Sequence, residues 1–326
     1  MVNDLRSLRL ESPRRVDVPI VAGLALALLV FGVTRPALTF DNLFLVGDET
    51  FSVVSGIWSF ATSGNILLAL LLFGFSVAFP AIKLGGILVL WFVPTREPTR
   101  VEIVDWLELL GKWSLLDAFV IAVLVGTVQL GLLSQAAALP GAYVYLASIL
   151  LSLVAILLLS AIVRSRRRQP RRPFTRRGLW LTVPAAVLYG AGLSLPLLDV
   201  EKGFFWGNRY SLLRGVGQLL QRGDWVLGST LLLFVVVLPT LRLLALFVLR
   251  LVRPQHAKWR ERLLLLDGLS MLDVFVLALL VVFTKLDALA SPTPLAGMWL
   301  LVAAAAVSVL DSVLLHRGAR WRPARG

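Results

Sequence analysis

The chain contains no cysteine, which removes disulfides, thiol nucleophiles and cysteine-ligated zinc or iron–sulfur centres together. Its two histidines, His256 and His316, stand far apart in basic flanks, and two isolated imidazoles do not make a metal site. No Gly-x-x-x-x-Gly-Lys-Ser/Thr loop occurs, so ATP would have to come from another subunit. Charge is missing over long stretches: residues 50 to 82, 118 to 163, 178 to 198 and 288 to 310 carry none. With no thiol, no imidazole inside an apolar run and no clustered carboxylates, an enzyme or redox protein is disfavoured. The expectation is a chain without enzymatic activity, metal or cofactor.

What is abundant is apolar surface. At 58% hydrophobic residues over 326 positions and a mean hydropathy of +0.85, most of it must face lipid rather than a soluble core. A helix needs about 20 apolar residues to cross the hydrocarbon. Hydropathy and turn signals predict eight spans, at 18 to 34, 65 to 93, 113 to 133, 143 to 163, 179 to 196, 225 to 250, 268 to 288 and 295 to 315. The uncharged block 118 to 163 is too long for one helix, and Ser134-Gln-Ala-Ala-Ala-Leu-Pro-Gly141 supplies a turn. Pro292 and Pro294 do the same before the last span. Basic residues precede the first span as in a signal peptide, but no clean small-residue cleavage site follows, so it is read as a true span.

Positive flanks stay in the cytoplasm. Of the 32 Lys and Arg, most fall in alternate connections, and only Arg35, Lys202, Arg209, Arg214 and Arg222 fall in the others. Both termini are therefore expected inside. The net charge of +13 then needs no nucleic acid: the run Arg164 to Arg177 reads as an inner linker touching anionic head groups.

Three stretches recur about half a chain apart. Phe51-Ser-Val-Val-Ser-Gly56 returns as Tyr210-Ser-Leu-Leu-Arg-Gly215, and Phe79-Pro80-Ala-Ile-Lys83 as Leu238-Pro239-Thr-Leu-Arg242. Trp113-Ser-Leu-Leu-Asp117-Ala-Phe-Val120 returns as Leu269-Ser-Met-Leu-Asp273-Val-Phe-Val276. Two copies of one unit explain all three. The expected organisation is a basic amino terminus (1–17), membrane unit 1 (18–163), an Arg-rich linker (164–178), membrane unit 2 (179–315) and a short carboxy terminus (316–326). The fold class is an all-α polytopic membrane protein of two parallel four-helix repeats. An even number of spans per unit gives a pseudo-two-fold axis along the membrane normal and makes the interface between units a natural place for a cavity.

The long outer connections, 35 to 64 and 197 to 224, match each other. Each opens with a strand-like stretch, Leu38 to Val46 and Leu197 to Phe205. Each continues with apolar residues at helical spacing, Val53, Val54, Ile57, Phe60 and Ala61 against Leu212, Leu213, Val216, Leu219 and Leu220. Short helices are predicted from Ser52 and Ser211 to near Gly64 and Gly223. They either rest on the bilayer or cap the bundle, or they flank an opening to the outer leaflet.

Ionisable residues inside spans cost a few kcal/mol each unless paired or watered. Lys83 lies about 15 Å from the inner end of its span, and Asp117 about 8 Å from the inner end of the next, at 1.5 Å of rise per residue. The two can therefore meet, and Arg242 and Asp273 hold the matching places. Either these are buried salt bridges that fix each unit, or one pair lines a polar path with Ser114 and Ser270 one turn before their aspartates. Lysine can release its proton and arginine cannot, so proton coupling would belong to the first unit. Gln129 and Lys285, with Thr127 and Thr284, correspond near the outer ends of their spans. Lys285 either snorkels to the surface or contacts phosphate. Pro80, Gly85 and Gly86, with Pro239, mark expected kinks that free carbonyls for a polar path.

The Trp113-Ser-Leu-Leu-Asp117 and Leu269-Ser-Met-Leu-Asp273 motifs, each trailing a Phe/Leu-Pro-x-x-Lys/Arg motif, resemble the paraquat-inducible protein A family from about residue 18 to 315. The resemblance implies an inner-membrane protein of diderm bacteria that works beside a periplasmic protein of the mammalian-cell-entry (MCE) type and moves phospholipid between membranes. Members of the family often carry CxxC zinc ribbons ahead of each unit. This chain has Arg6 to Arg15 and Arg164 to Arg177 there instead, so zinc is not transferred. A scaffold that only anchors the periplasmic lipid tunnel is the competing expectation, since it needs the outer loops and not the intramembrane charges.

Overall fold

The computed structural model describes residues 7–11, 15–42, 48–64, 66–113, 134–165, 178–202, 206–252, 266, 269–287 and 293–317. Described residues up to Ser165 form one compact unit and those from Gly178 onward form another.

In the first unit α1 (Leu8–Glu11) and α2 (Asp17–Thr34) lead to strands β1 (Pro36–Asn42) and β2 (Asp48–Ser52), then to the short helix α3 (Val53–Thr62). A longer rod follows, made of α4 (Ile66–Phe73), a π-helical segment (Gly74–Ala78) and α5 (Phe79–Phe92). The unit ends with α6 (Glu97–Trp113), β3 (Ser134–Ala138) and α7 (Pro140–Ser165). The second unit repeats this order with α8 (Leu179–Ser194), β4 (Leu198–Lys202), β5 (Trp206–Tyr210) and α9 (Leu212–Gln221). Its rod is α10 (Trp225–Leu231), a π-helical segment (Leu232–Val237) and α11 (Leu238–Val252), followed by α12 (Leu272–Asp287), β6 (Thr293–Pro294) and α13 (Ala296–Arg317).

Helices stand at every expected span except the third, 113–133, which beyond its first residue lies outside the described residues. Among the described residues five helices are long and apolar enough to cross a membrane: Asp17–Thr34, Gly74–Phe92, Pro140–Val163, Trp225–Val252 and Ala296–Leu314. Leu179–Ser194 is apolar but shorter. The chain is thus an all-α membrane protein carrying two small sheets.

Each sheet is antiparallel with its first strand in the middle, in the orders β2-β1-β3 and β5-β4-β6. Leu38 pairs with Phe51 on one side and Ala138 on the other, and Leu198 with Tyr210 and Pro294. The stretch from Ser134 to Gly141, expected to be a turn, is therefore a strand and a helix start. A lone hairpin is marginal, and the third strand satisfies the backbone groups that β1 would otherwise leave open. Leu139 N–H to Ala37 C=O (2.9 Å) and Leu295 N–H to Leu197 C=O (3.0 Å) extend each pairing to the residue just before Pro140 and Ala296. Pro294 lies in β6, while Pro292 is outside the described residues.

Packing inside each unit sets its first long helix against its last, α2 against α7 and α8 against α13. A Cβ on Gly32 would stand 2.8 Å from the backbone of Tyr145, and one on Gly192 2.8 Å from Leu301. Only glycine allows helices to approach this closely, which is how apolar helices gain contact where lipid offers no hydrophobic drive. Ser148 adds a hydroxyl bond to the Ala25 carbonyl at 2.8 Å between α2 and α7.

The two short helices α3 and α9 begin and end where their caps lie. Ser52 and Ser211 are the N-caps, and Gly64 and Gly223 follow the helices at φ +83° and +95°, the left-handed region that favours glycine. The connection from Arg96 to Lys112, expected on the inner side, is helical from Glu97 onward. Its apolar positions Val104 and Leu107, with Gly111, are buried, and Arg100 meets Glu11 of α1 at 3.1 Å.

Candidate functional site

Both rods are interrupted just before their prolines. Pro80 and Pro239 have no N–H to give the carbonyl four residues back, and their rings crowd it. The helix widens there: Phe79 N–H reaches Gly74 C=O and Leu238 N–H reaches Leu233 C=O, each five residues back. The orphaned carbonyls are those of Ser76 and Val235. Tyr145 Oη donates to Ser76 C=O at 3.0 Å, and Tyr189 Oη to Val235 C=O at 2.7 Å and Val236 C=O at 3.0 Å. The first tyrosine comes from the last helix of its unit and the second from the first helix of its unit, so two helices solve one problem in the same chemical way. The expected kinks thus take the form of π-helical segments at Pro80 and Pro239. Gly85 and Gly86 do not interrupt α5. A Cβ on Gly86 would stand 2.7 Å from Leu107, so its role is close approach of α6.

Lys83 and Arg242 lie three residues beyond these prolines, both buried. Lys83 Nζ and Ser76 Oγ have no hydrogen-bond partner among the described residues. A Cβ on Gly111 of α6 would stand 3.4 Å from Lys83 Nζ, so α6 passes close beside the ammonium. In the second unit Arg242 is held, through Nη1 to Ser308 Oγ and Nη2 to Ser308 C=O at 3.3 Å.

Arg242 was expected to pair with Asp273. Asp273 is half-buried in the first turn of α12, and no ion pair joins the two among the described residues. Arginine reaches the long way across to α13, where a hydroxyl and a carbonyl serve its fork. Ser270 is buried just before α12, its N–H bonded to Leu266 C=O at 2.8 Å. Thr284 and Lys285 lie near the end of α12, with side chains outside the described residues. Ser114, Asp117, Thr127 and Gln129 lie outside them altogether, so the pairing of Lys83 with Asp117 does too.

A second polar cluster escaped the sequence reading. Arg250 Nη2 meets Asp311 Oδ1 at 2.6 Å and Nη1 meets Oδ2 at 3.1 Å. Nη1 also donates to Thr182 Oγ1 and Gly178 C=O. Arg250, Asp311 and Thr182 are all buried, and a side chain on Gly178 would collide with the guanidinium. At the repeat spacing the first unit has Trp91, Ala155 and Ala22 in these places, all buried. The signal was available: one acidic residue, Asp311, near the end of the expected span 295 to 315, and a basic residue, Arg250, at the end of the expected span 225 to 250. No group of three His, Asp or Glu able to hold a metal occurs among the described residues.

The sequence profile of the family described as Paraquat-inducible protein A matches residues 19–163 and 175–324, dividing the chain as its internal repeats do. No curated protein and no solved structure matches the chain.

Proposed function

Because the chain belongs to the paraquat-inducible protein A family, we propose that it is an inner-membrane lipid-transport subunit that exchanges phospholipid with a periplasmic MCE-type partner. Eight spans in two parallel repeats, with both termini in the cytoplasm, make up the proposed topology. The basic inner connections support that orientation.

One observation carries the transport reading. A lysine at the middle of a span costs about 2.5–3.5 kcal/mol on insertion scales, yet Lys83 is buried with its ammonium unbonded among the described residues. A scaffold would gain from an apolar residue there. A polar path used by head groups or protons needs the charge, and the unbonded Ser76 hydroxyl one face-repeat earlier adds a second polar group to the same stretch. Asp117, Ser114, Thr127 and Gln129 would continue that path in the first unit, and Arg242, Ser270, Asp273, Thr284 and Lys285 the equivalent one in the second.

The test is Lys83→Met in protein that folds and still binds its periplasmic partner. Lipid delivery between donor and acceptor vesicles should be lost. Photo-crosslinkers at Ser114, Thr127 and Ser270 should capture phospholipid above the level found at Val154, which is 44% exposed on α7 and reports ordinary lipid contact. Normal delivery by Lys83→Met, with capture no higher than at Val154, makes the chain an anchor for its partner.

A further inference from the structure

The two units build the same short helix after their outer hairpins and bury it to different degrees. In α9, Leu212, Val216 and Leu219 are 0%, 4% and 0% exposed, and the helix packs on α10 and α8. In α3 the matching Val53, Ile57 and Phe60 are only half-buried, no residue is fully buried, and Trp58 is 71% exposed. The cause is in the sequence. α9 carries Arg214, Gln218 and Gln221 and so has one apolar face to hide, whereas residues 50 to 82 carry no charge at all.

α3 is also specified locally rather than by tertiary contact. Ser55 N–H donates to Ser52 Oγ at 3.0 Å and Ser52 N–H to Ser55 Oγ at 2.8 Å, a reciprocal cap that closes the helix start on its own. Ser211 of α9 makes no such side-chain bond. Against the rest of its unit α3 rests on α4, where a Cβ on Gly56 would lie 3.7 Å from Leu72. Its exposed apolar side runs on into Ile66, Leu67 and Leu70 of α4, at 62%, 72% and 61% exposed.

We infer that α3 and α4 form an arm whose exposed apolar side is seated in the acyl chains of the outer leaflet, while α9 is a packed cap within its own unit. The exposed side of α4 is the start of a membrane rod and meets lipid, and α3 is continuous with it. Trp58 places an amphipathic ring where such rings settle, at the level of the head groups. Ser55, Ser59 and Thr62 line one side of the helix with hydroxyls and no charge, which suits shallow immersion. A protein partner would call for a polar, hydrogen-bonding rim around the apolar centre, and the Ser55 and Thr62 hydroxyls that could form one are turned back to the Ser52 and Trp58 carbonyls, at 3.0 Å each. The outward orientation rests on the topology proposed above.

The absence of native cysteine makes the test direct. Bimane is attached to Val54→Cys, Trp58→Cys or Gln221→Cys in the full chain, reconstituted in phosphatidylcholine vesicles and checked for folding by gel filtration. At positions 54 and 58 the dye should lose most of its fluorescence to phosphatidylcholine carrying a nitroxide high on the acyl chain, and little to iodide in the water. At position 221 the pattern should reverse. Quenching of position 58 by iodide and not by nitroxide lipid overturns the inference by placing α3 in water. Quenching by neither overturns it by placing α3 under protein, a second copy included. Seated labels together with failed lipid delivery would sink the transport reading and leave the arm standing.

Discussion

Breaking the Arg250–Asp311 pair tests the buried polar chemistry most sharply, because the first unit displays the apolar alternative. The pair is bidentate, at 2.6 and 3.1 Å, and buried between α11 and α13 with Thr182 of α8 beside it. Removing one partner of a buried pair costs about 3–5 kcal/mol, since the other charge is left uncompensated. The two single changes should not be equal. Arg250 lies two residues from the end of α11, about 3 Å of helix rise, so after Asp311→Ala its long side chain can snorkel to the inner surface. That change should cost about 2–3 kcal/mol. After Arg250→Ala the short carboxylate of Asp311 cannot follow, and the full 3–5 kcal/mol is expected, a factor of hundreds to thousands in the folding equilibrium. Arg250→Trp, Asp311→Ala and Thr182→Ala together import the Trp91, Ala155 and Ala22 arrangement, and should recover most of the loss up to any misfit of the new ring. Folding free energies in mixed micelles by detergent titration, arranged as a double-mutant cycle, would measure this. Additive single effects with no coupling, or a triple variant worse than either single, would refute the reasoning.

Further tests follow from the same geometry. Single cysteines at Asn42, Arg168, Asn208 and Gln255 should be labelled from outside by an impermeant thiol reagent at 42 and 208 only; outside labelling at 168 would overturn the orientation. Tyr145→Phe leaves the Ser76 carbonyl unpaired and should cost about 1–3 kcal/mol, as should Tyr189→Phe, and detergent titration showing no loss in either would mean the π segments satisfy themselves. Gly111→Leu drives side-chain volume against Lys83 and should lower lipid delivery more than it lowers folded yield, whereas Gly23→Leu, at an open site, should lower neither.

The caps, prolines and repeats were legible because each is a local signal. Ser52 with Gly64, and Ser211 with Gly223, bound their helices as the sequence predicts, since a cap position and a left-handed glycine act within one turn, although only Ser52 makes the side-chain bond. Pro80 and Pro239 announced a break, but not that it would be a widened helix bridged by a tyrosine hydroxyl from a different helix in each unit. Strand β3 was hidden because Ser134-Gln-Ala-Ala-Ala138 has no β-branched residue, and its state comes from pairing with β1 rather than from propensity. The Arg250–Asp311 pair was missed because Arg250 was counted as an inner flank, where a basic residue needs no partner.

The duplicated frame and the divergent polar groups have different causes. Prolines, close glycines and sheets recur because they hold backbone in place, and both units need the same backbone. The side chains filling that frame differ by unit. In the second unit Arg242 is bonded to Ser308 and Arg250 to Asp311, while α9 buries its apolar face; a satisfied buried network rigidifies what surrounds it. In the first, the Arg250 site is filled by Trp91, the Lys83 ammonium and Ser76 hydroxyl stay unbonded among the described residues, and α3 has no fully buried residue. Buried groups without partners are costly to keep; among the described residues two of them, the Lys83 ammonium and the Ser76 hydroxyl, share one rod in the first unit, while the second unit keeps one, Gln218 Oε1 on α9. Duplication therefore preserves the backbone frame, while each copy fills the polar positions within it with its own side chains.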